Sequence, residues 1–205
     1  DWYWGPYKTI AQEHGRNLVT FRMFDENDNF DTASFEEKVK ELLAKQERLV
    51  VILNTPAHNP TGYAMDEDDW KAVSSILGRT EKTKKIALVA DVAYIDFAGE
   101  EEESRMFLPF LEKMPDNVLV LVAHSLSKSY TLYGMRCGAL ICMAKTREIA
   151  EEFKSVCEFS SRGSWSNCAR APQVILQKIY EDDRLLQKVM EERKNCRDML
   201  LKRGA

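Results

Sequence analysis

Four short apolar runs, each bounded by polar residues and separated by helical periodicity, constrain this chain more than any other feature. They are Leu49–Leu53, Ile86–Ala90, Val118–Ala123 and Gly138–Met143. Runs of this length suit strands buried in a sheet and are far too short to cross a bilayer. Between them the spacing changes. Phe35, Val39, Leu42 and Leu43 recur at helical intervals, and Ser34 followed by Glu37 has the pattern of a capping box, which predicts a helix opening at Ser34. A second helix is predicted from about Asp66 to Leu77, with acidic residues in the first turn where the helix dipole favours them. Strand and helix in alternation predict an α/β fold with a mostly parallel sheet. The acidic run Glu100–Glu103 reads as a solvated loop. From about Glu148 the pattern is helical, and the stretch from Ala169 to Arg203 carries Val174, Ile175, Ile179, Leu185, Leu186 and Val189, with a break expected at Asp182-Asp183.

Charge narrows the function classes. With 29 basic and 33 acidic residues the net charge is −4, so nothing points to a nucleic acid or an anionic membrane as partner. The five cysteines (Cys137, Cys142, Cys157, Cys168, Cys196) show no Cys-x-x-Cys spacing and no histidine at ligand spacing, which predicts reduced, mostly buried thiols in a cytoplasmic protein and no metal site. The opening Asp1-Trp2-Tyr3-Trp4 reads as the interior of a longer protein.

The polar clusters give the first indication of chemistry. Asn59, Asp91 and the Ser125–Lys128 group each follow a predicted strand. In open α/β sheets the carboxyl edge of the strands is where ligands bind, and three clusters on that edge make a candidate site. Asn59-Pro60-Thr61-Gly62, Asp91-Val92-Ala93-Tyr94 and Ser125-Leu126-Ser127-Lys128, with Arg136 eight residues on, are separated by 32 residues from Asn59 to Asp91 and 37 from Asp91 to Lys128. Each motif alone is unspecific. In this order and at these separations they resemble the fold-type I pyridoxal-phosphate (PLP) enzymes, and within them the class I aminotransferases of the aspartate and aromatic amino-acid group. The resemblance runs from Trp4 into the C-terminal helix.

The resemblance implies a three-layer α/β domain, helices on both faces of a mostly parallel sheet, ending in a long helix. It implies pyridoxal 5'-phosphate as cofactor, with Lys128 carrying it as a Schiff base and moving a proton once an amino acid has displaced the amine. Asp91 would sit at the pyridine nitrogen, where a carboxylate favours the protonated ring. Tyr94 and Asn59 would hydrogen-bond the phenolic oxygen. Ser125, Ser127 and Arg136 would hold the phosphate, and Gly134 and Gly138 beside Arg136 would let the backbone pass close to the ligand. Trp4, in Trp4-Gly5-Pro6-Tyr7, is similar to the aromatic residue that stacks on the ring; Trp2 and Tyr3 compete for that role. Arg162-Gly163-Ser164-Trp165-Ser166-Asn167 resembles the segment whose arginine reaches a neighbouring subunit's site and binds a dicarboxylic substrate, with Trp165 replacing the family's tyrosine.

The activity so implied is transfer of an amino group from an amino acid, aspartate or aromatic, to a 2-oxo acid, in a homodimer. A PLP lyase or decarboxylase would use the same Asp91, Tyr94 and Lys128, and a non-catalytic binding module would keep the fold without the reaction. Residues 1–165 are read as the cofactor-binding core and 166–205 as a helical segment leading toward a smaller domain. The family's upstream phosphate loop and downstream carboxylate-binding arginine have no counterpart here. The 205-residue polypeptide is therefore expected to transaminate weakly or not at all.

Overall fold

A computed structural model of the chain describes residues 1–204. Its elements follow the order α1 (Pro6–Glu13), α2 (Thr32–Lys45), β1 (Arg48–Asn54), α3 (Glu67–Gly78), β2 (Lys85–Asp91), α4 (Glu101–Ser104), α5 (Leu108–Glu112), β3 (Val118–Ser125), α6 (Leu126–Ser129), β4 (Gly138–Met143), α7 (Arg147–Ser164), α8 (Arg170–Glu181) and α9 (Asp183–Gly204). Single 3-10 turns cover Ile95–Phe97 and Tyr133–Met135. The sheet has the order β1-β2-β3-β4, with β1, β2 and β3 parallel and β4 antiparallel at the edge. This is the expected α/β architecture, a mostly parallel sheet flanked by helices and ending in the long α9.

Burial alternates along the parallel strands. Leu49, Val51 and Leu53 of β1, Ile86, Leu88 and Ala90 of β2, and Val118, Val120 and Val122 of β3 are buried against Phe35, Val39 and Leu43 of α2, Trp70, Val73, Ile76 and Leu77 of α3, and Leu111 of α5. Each of the larger aliphatic and aromatic side chains contributes about 1.5–3 kcal/mol on leaving water. The strands are not buried equally on both faces. Val50 is 63% exposed, and Ile52, Ala87, Val89, Leu119 and Leu121 are half-buried. The helices of the second half lie against β4 and the turn after β2 and do not seal this face.

Three local expectations change. The cysteines are not mostly buried: Cys168 is exposed, and Cys137, Cys142, Cys157 and Cys196 are half-buried. Helix α2 opens at Thr32, not at Ser34: Asp31 is its N-cap and accepts Ser34 N–H at 2.9 Å, while Ser34 Oγ accepts Arg22 N–H at 2.9 Å. The acidic run is not a loop. Glu101–Ser104 form the short helix α4, because Glu100 and Glu103 make a reciprocal capping box. Asp66 and Asp69 do the same at the start of α3. The expected break falls between α8 and α9 at Asp182, whose backbone is extended.

Candidate functional site

The parallel register brings the carboxyl ends of three strands level. Asn54 of β1 pairs with Asp91 of β2, Asp91 pairs with Ala123 of β3, and Ser125 at the end of β3 pairs with Gly138 of β4. Each polar cluster therefore emerges at one edge of the sheet. Asn54 ties two of them together: its amide donates to Asp91 O at 2.9 Å, and its Oδ1 accepts Asn59 N–H at 2.8 Å. From that anchored loop Asn59 Nδ2 donates to Tyr94 Oη at 3.3 Å. Asn59 and Tyr94 thus meet at this edge of the sheet.

Asp91 is half-buried. Its Oδ1 accepts Ala93 N–H at 3.1 Å, and its Oδ2 accepts the hydroxyl of Tyr7. Burial, followed by the adjacent Asp91 carboxylate, holds the Tyr7 phenol far above the ordinary tyrosine range, so it serves as a donor throughout neutral pH. Tyr7 and Trp4 meet edge to face, with ring centroids 5.4 Å apart, and this links the Trp4 segment to Asp91. Trp4 is 41% exposed and Trp2 57%. The Tyr7 and Asn54 contacts are absent from the sequence reading. The sole sequence signals were that Tyr7 falls one helical turn after Trp4 and that Asn54 ends an apolar run.

Ser125 is the N-cap of α6 and accepts Ser127 N–H at 3.1 Å, which fixes the turn that projects Lys128. The Lys128 amine is flanked by aromatic faces, 5.6 Å from the Tyr94 centroid and 5.3 Å from that of Tyr133. Thr131 and Arg136, in the loop from α6 to β4, both have positive φ (52° and 49°). Non-glycine residues pay about 1–2 kcal/mol for that conformation, and such strain gathers at functional sites. The Arg136 guanidinium lies 5.2 Å from the Tyr133 centroid and donates to Tyr133 O at 2.6 Å. Its backbone stays near Ser125 through the bond from Leu126 N–H to Cys137 O at 3.1 Å.

The two glycines beside Arg136 differ. A Cβ on Gly134 would meet open space, whereas one on Gly138 would lie 2.5 Å from His124 O. Gly138 is thus required by the approach of β4 to β3. Arg162 makes none of its contacts with the residues around Lys128: exposed at the end of α7, it donates to Ser166 Oγ. His58, next to Asn59, is buried with Nδ1 2.9 Å from Thr61 Oγ1, and burial holds its imidazole below the ordinary range. Among the described residues, no cluster of His, Cys, Asp or Glu could hold a metal ion and no helix is long and apolar enough to cross a membrane.

The donor set suits a flat, phosphorylated, ring-nitrogen cofactor. A half-buried carboxylate, an amide–phenol pair and an amine lie on one sheet edge, with serine hydroxyls at the end of β3 and a guanidinium in the loop leading to β4.

Comparisons with known proteins agree. Residues 1–204 match the family model described as aminotransferase class I and II. Among curated proteins, an aromatic-amino-acid aminotransferase of Pseudomonas aeruginosa is 33% identical over 187 residues, covering 89% of this chain and 43% of that protein. An aspartate aminotransferase of the same species is 28% identical over 204 residues, covering 97% and 49%. Among solved structures, an aminotransferase from Anaerococcus prevotii superposes with a TM-score of 0.95 at 37% identity, over 100% of this chain and 50% of that one. The chain spans about half the length of the curated relatives it matches.

Proposed function

The chain belongs to the class I and II aminotransferases, and from that membership we propose that it forms the cofactor-binding part of a PLP-dependent enzyme that moves the amino group of an amino acid to a 2-oxo acid. The observation that carries the reading is the convergence of Asn59, Tyr94, Asp91 and Lys128 on one sheet edge. When bound, pyridoxal phosphate supplies an aldehyde that reacts with amines and a pyridine ring that draws electron density from the substrate α-carbon.

The residues divide the remaining work. Lys128, set between the Tyr94 and Tyr133 rings, would hold the aldehyde and, when free, could carry a proton. Asp91, oriented by Tyr7 and Ala93 N–H, would serve as the carboxylate for the ring nitrogen and favour its protonated form. Tyr94 and Asn59 would donate to the phenolic oxygen. Ser125, Ser127 and Arg136 would hold the phosphate, for which the Arg136 guanidinium would have to leave Tyr133 O. Trp4 would stack on the ring. Arg162 serves a neighbouring subunit in a homodimer, on a dicarboxylic substrate. Relatives of both aromatic and aspartate type support both substrate classes. Since this chain spans about half of those relatives, the remaining half of their length would supply substrate orientation.

The test uses the full-length protein carrying this chain, loaded with pyridoxal phosphate. The reading expects aspartate or phenylalanine to give at most one equivalent of keto acid per cofactor alone, and many equivalents only when a 2-oxo-acid acceptor is added. Release of carbon dioxide or ammonia without an acceptor would instead indicate the decarboxylase or lyase chemistry that the same residues can serve.

A further inference from the structure

Helix α9 carries two arginines that are not spent on solvent. Arg197, nearly buried, donates Nη1 to Gly99 O at 2.9 Å and Nη2 to the Glu100 carboxylate, pinning α9 to the start of α4. One turn earlier, Arg193 reaches a different place. Its Nε donates to Ser129 O at 2.8 Å, its Nη1 lies 3.4 Å from Asp96 Oδ2, and its guanidinium stacks 4.3 Å from the Tyr130 ring centroid. The Arg193 and Asp96 side chains are 18% and 9% exposed, so this pair is little screened by water. Asp96 also accepts Arg105 Nη2 at 3.1 Å, His124 faces the same cluster, and the Tyr130 hydroxyl lies 2.9 Å from that of Tyr180 on α8.

The targets matter. Ser129 is the last residue of α6, one position after Lys128, and its carbonyl belongs to the helix end that lacks partners within the helix. Asp96 lies two residues after Tyr94, in the 3-10 turn that follows it. A single planar guanidinium therefore joins the segment bearing the lysine to the segment bearing the phenol that faces it. Arginine suits this because its donors are fixed in one plane, whereas a lysine ammonium is a compact point charge on a flexible stem without that fork.

We propose that Arg193 is a positioning residue for Lys128, clamping the C-terminal end of α6 to the Tyr94 segment through Ser129 O and Asp96. This rests on the reading of Lys128 as the cofactor lysine. Arg197 provides the internal comparison, since it holds the same helix without touching α6.

The experiment compares R193Q, R193K and R197Q in the full-length protein with pyridoxal phosphate bound. It reads the pH midpoint of the bound cofactor's absorbance, kcat and KM, and the thermal midpoint. R193Q is expected to move the absorbance midpoint by about 0.5 pH unit or more and to lower kcat about tenfold, with KM within about twofold. R193K, which keeps the charge and loses the fork, moves both in the same sense by less, and carries the test should R193Q fail to fold. R197Q lowers the thermal midpoint but leaves the absorbance midpoint within about 0.1 unit. A folded Arg193 variant with unchanged midpoint and kcat overturns the proposal, as does an R197Q that moves them equally. If the unaltered protein has no cofactor band, the lysine reading and this proposal fall together. A band that the Arg193 variants leave unmoved overturns the proposal alone.

Discussion

Replacing Gly138 with alanine tests how the strand that follows the lysine loop is held. The added Cβ would lie 2.5 Å from His124 O and 3.5 Å from Ser125 Cα, and both of those atoms belong to backbone. Ordinary contact needs about 3.5 Å, so β4 must withdraw by about 1 Å at the Ser125–Gly138 pair. Overpacking of this kind costs about 1–3 kcal/mol, and a weakened ladder bond adds about 0.5–1.5 kcal/mol. The expected loss is thus roughly 2–4 kcal/mol of folding stability, measured as a fall in the urea midpoint with unchanged slope. Gly134→Ala is the matched comparison, four residues earlier with open space at its Cβ, and should stay within about 0.5 kcal/mol of the unaltered protein. Because Ser125 also caps α6, cofactor affinity should fall in Gly138→Ala and hold in Gly134→Ala. Equal stability of the two variants would mean that the strand edge yields at no cost and that Gly138 is not required there.

Tyr7→Phe removes the side-chain donor from Asp91 and is expected to weaken pyridoxal-phosphate binding about tenfold; titration of the cofactor-free full-length protein checks this, and an unchanged Kd contradicts it. Burial holds the His124 imidazole below its ordinary value, so the stability it contributes is present above about pH 6.5 and is lost as pH falls through its lowered folded value. Between pH 7.5 and 5.5, urea midpoints should therefore drop less in His124→Gln than in the unaltered protein, and parallel drops would count against a neutral, half-buried His124. Arg162→Ala in the full-length protein should lower kcat/KM for aspartate by about 10–100-fold and spare aromatic amino acids; equal use of both before and after would remove Arg162 from substrate recognition.

The sheet was legible because each strand is a short apolar run closed by polar residues, and Leu49–Leu53 and Gly138–Met143 match β1 and β4 within a residue at each end. The convergence of Asn59, Asp91 and Lys128 followed from their places after three strands that proved parallel and in level register. Contacts between distant residues were not legible. Tyr7 meets Asp91 across 84 positions and Arg193 meets Ser129 across 64, and no local pattern marks either pair. Nothing in the spacing of α9 sets Arg193 and Arg197 apart from its other charged residues. The start of α2 was misplaced because Asp31 and Ser34 are both good caps. The carboxylate takes the position by accepting both Ser34 N–H and Arg22 Nε, which moves the first turn forward. The acidic run Glu100–Glu103 concealed a helix for a similar reason: its charges cap each other's backbone, and Arg197 offsets their repulsion.

Lys128, and no other lysine, is expected to carry the cofactor. Borohydride reduction of the full-length protein in the presence of pyridoxal phosphate, followed by digestion and peptide mass analysis, tests this directly. The cofactor absorbance should disappear on reduction, and the pyridoxyl mass should lie on the peptide containing Lys128 alone. Label on a different lysine, or a protein that takes up no label, would contradict that expectation.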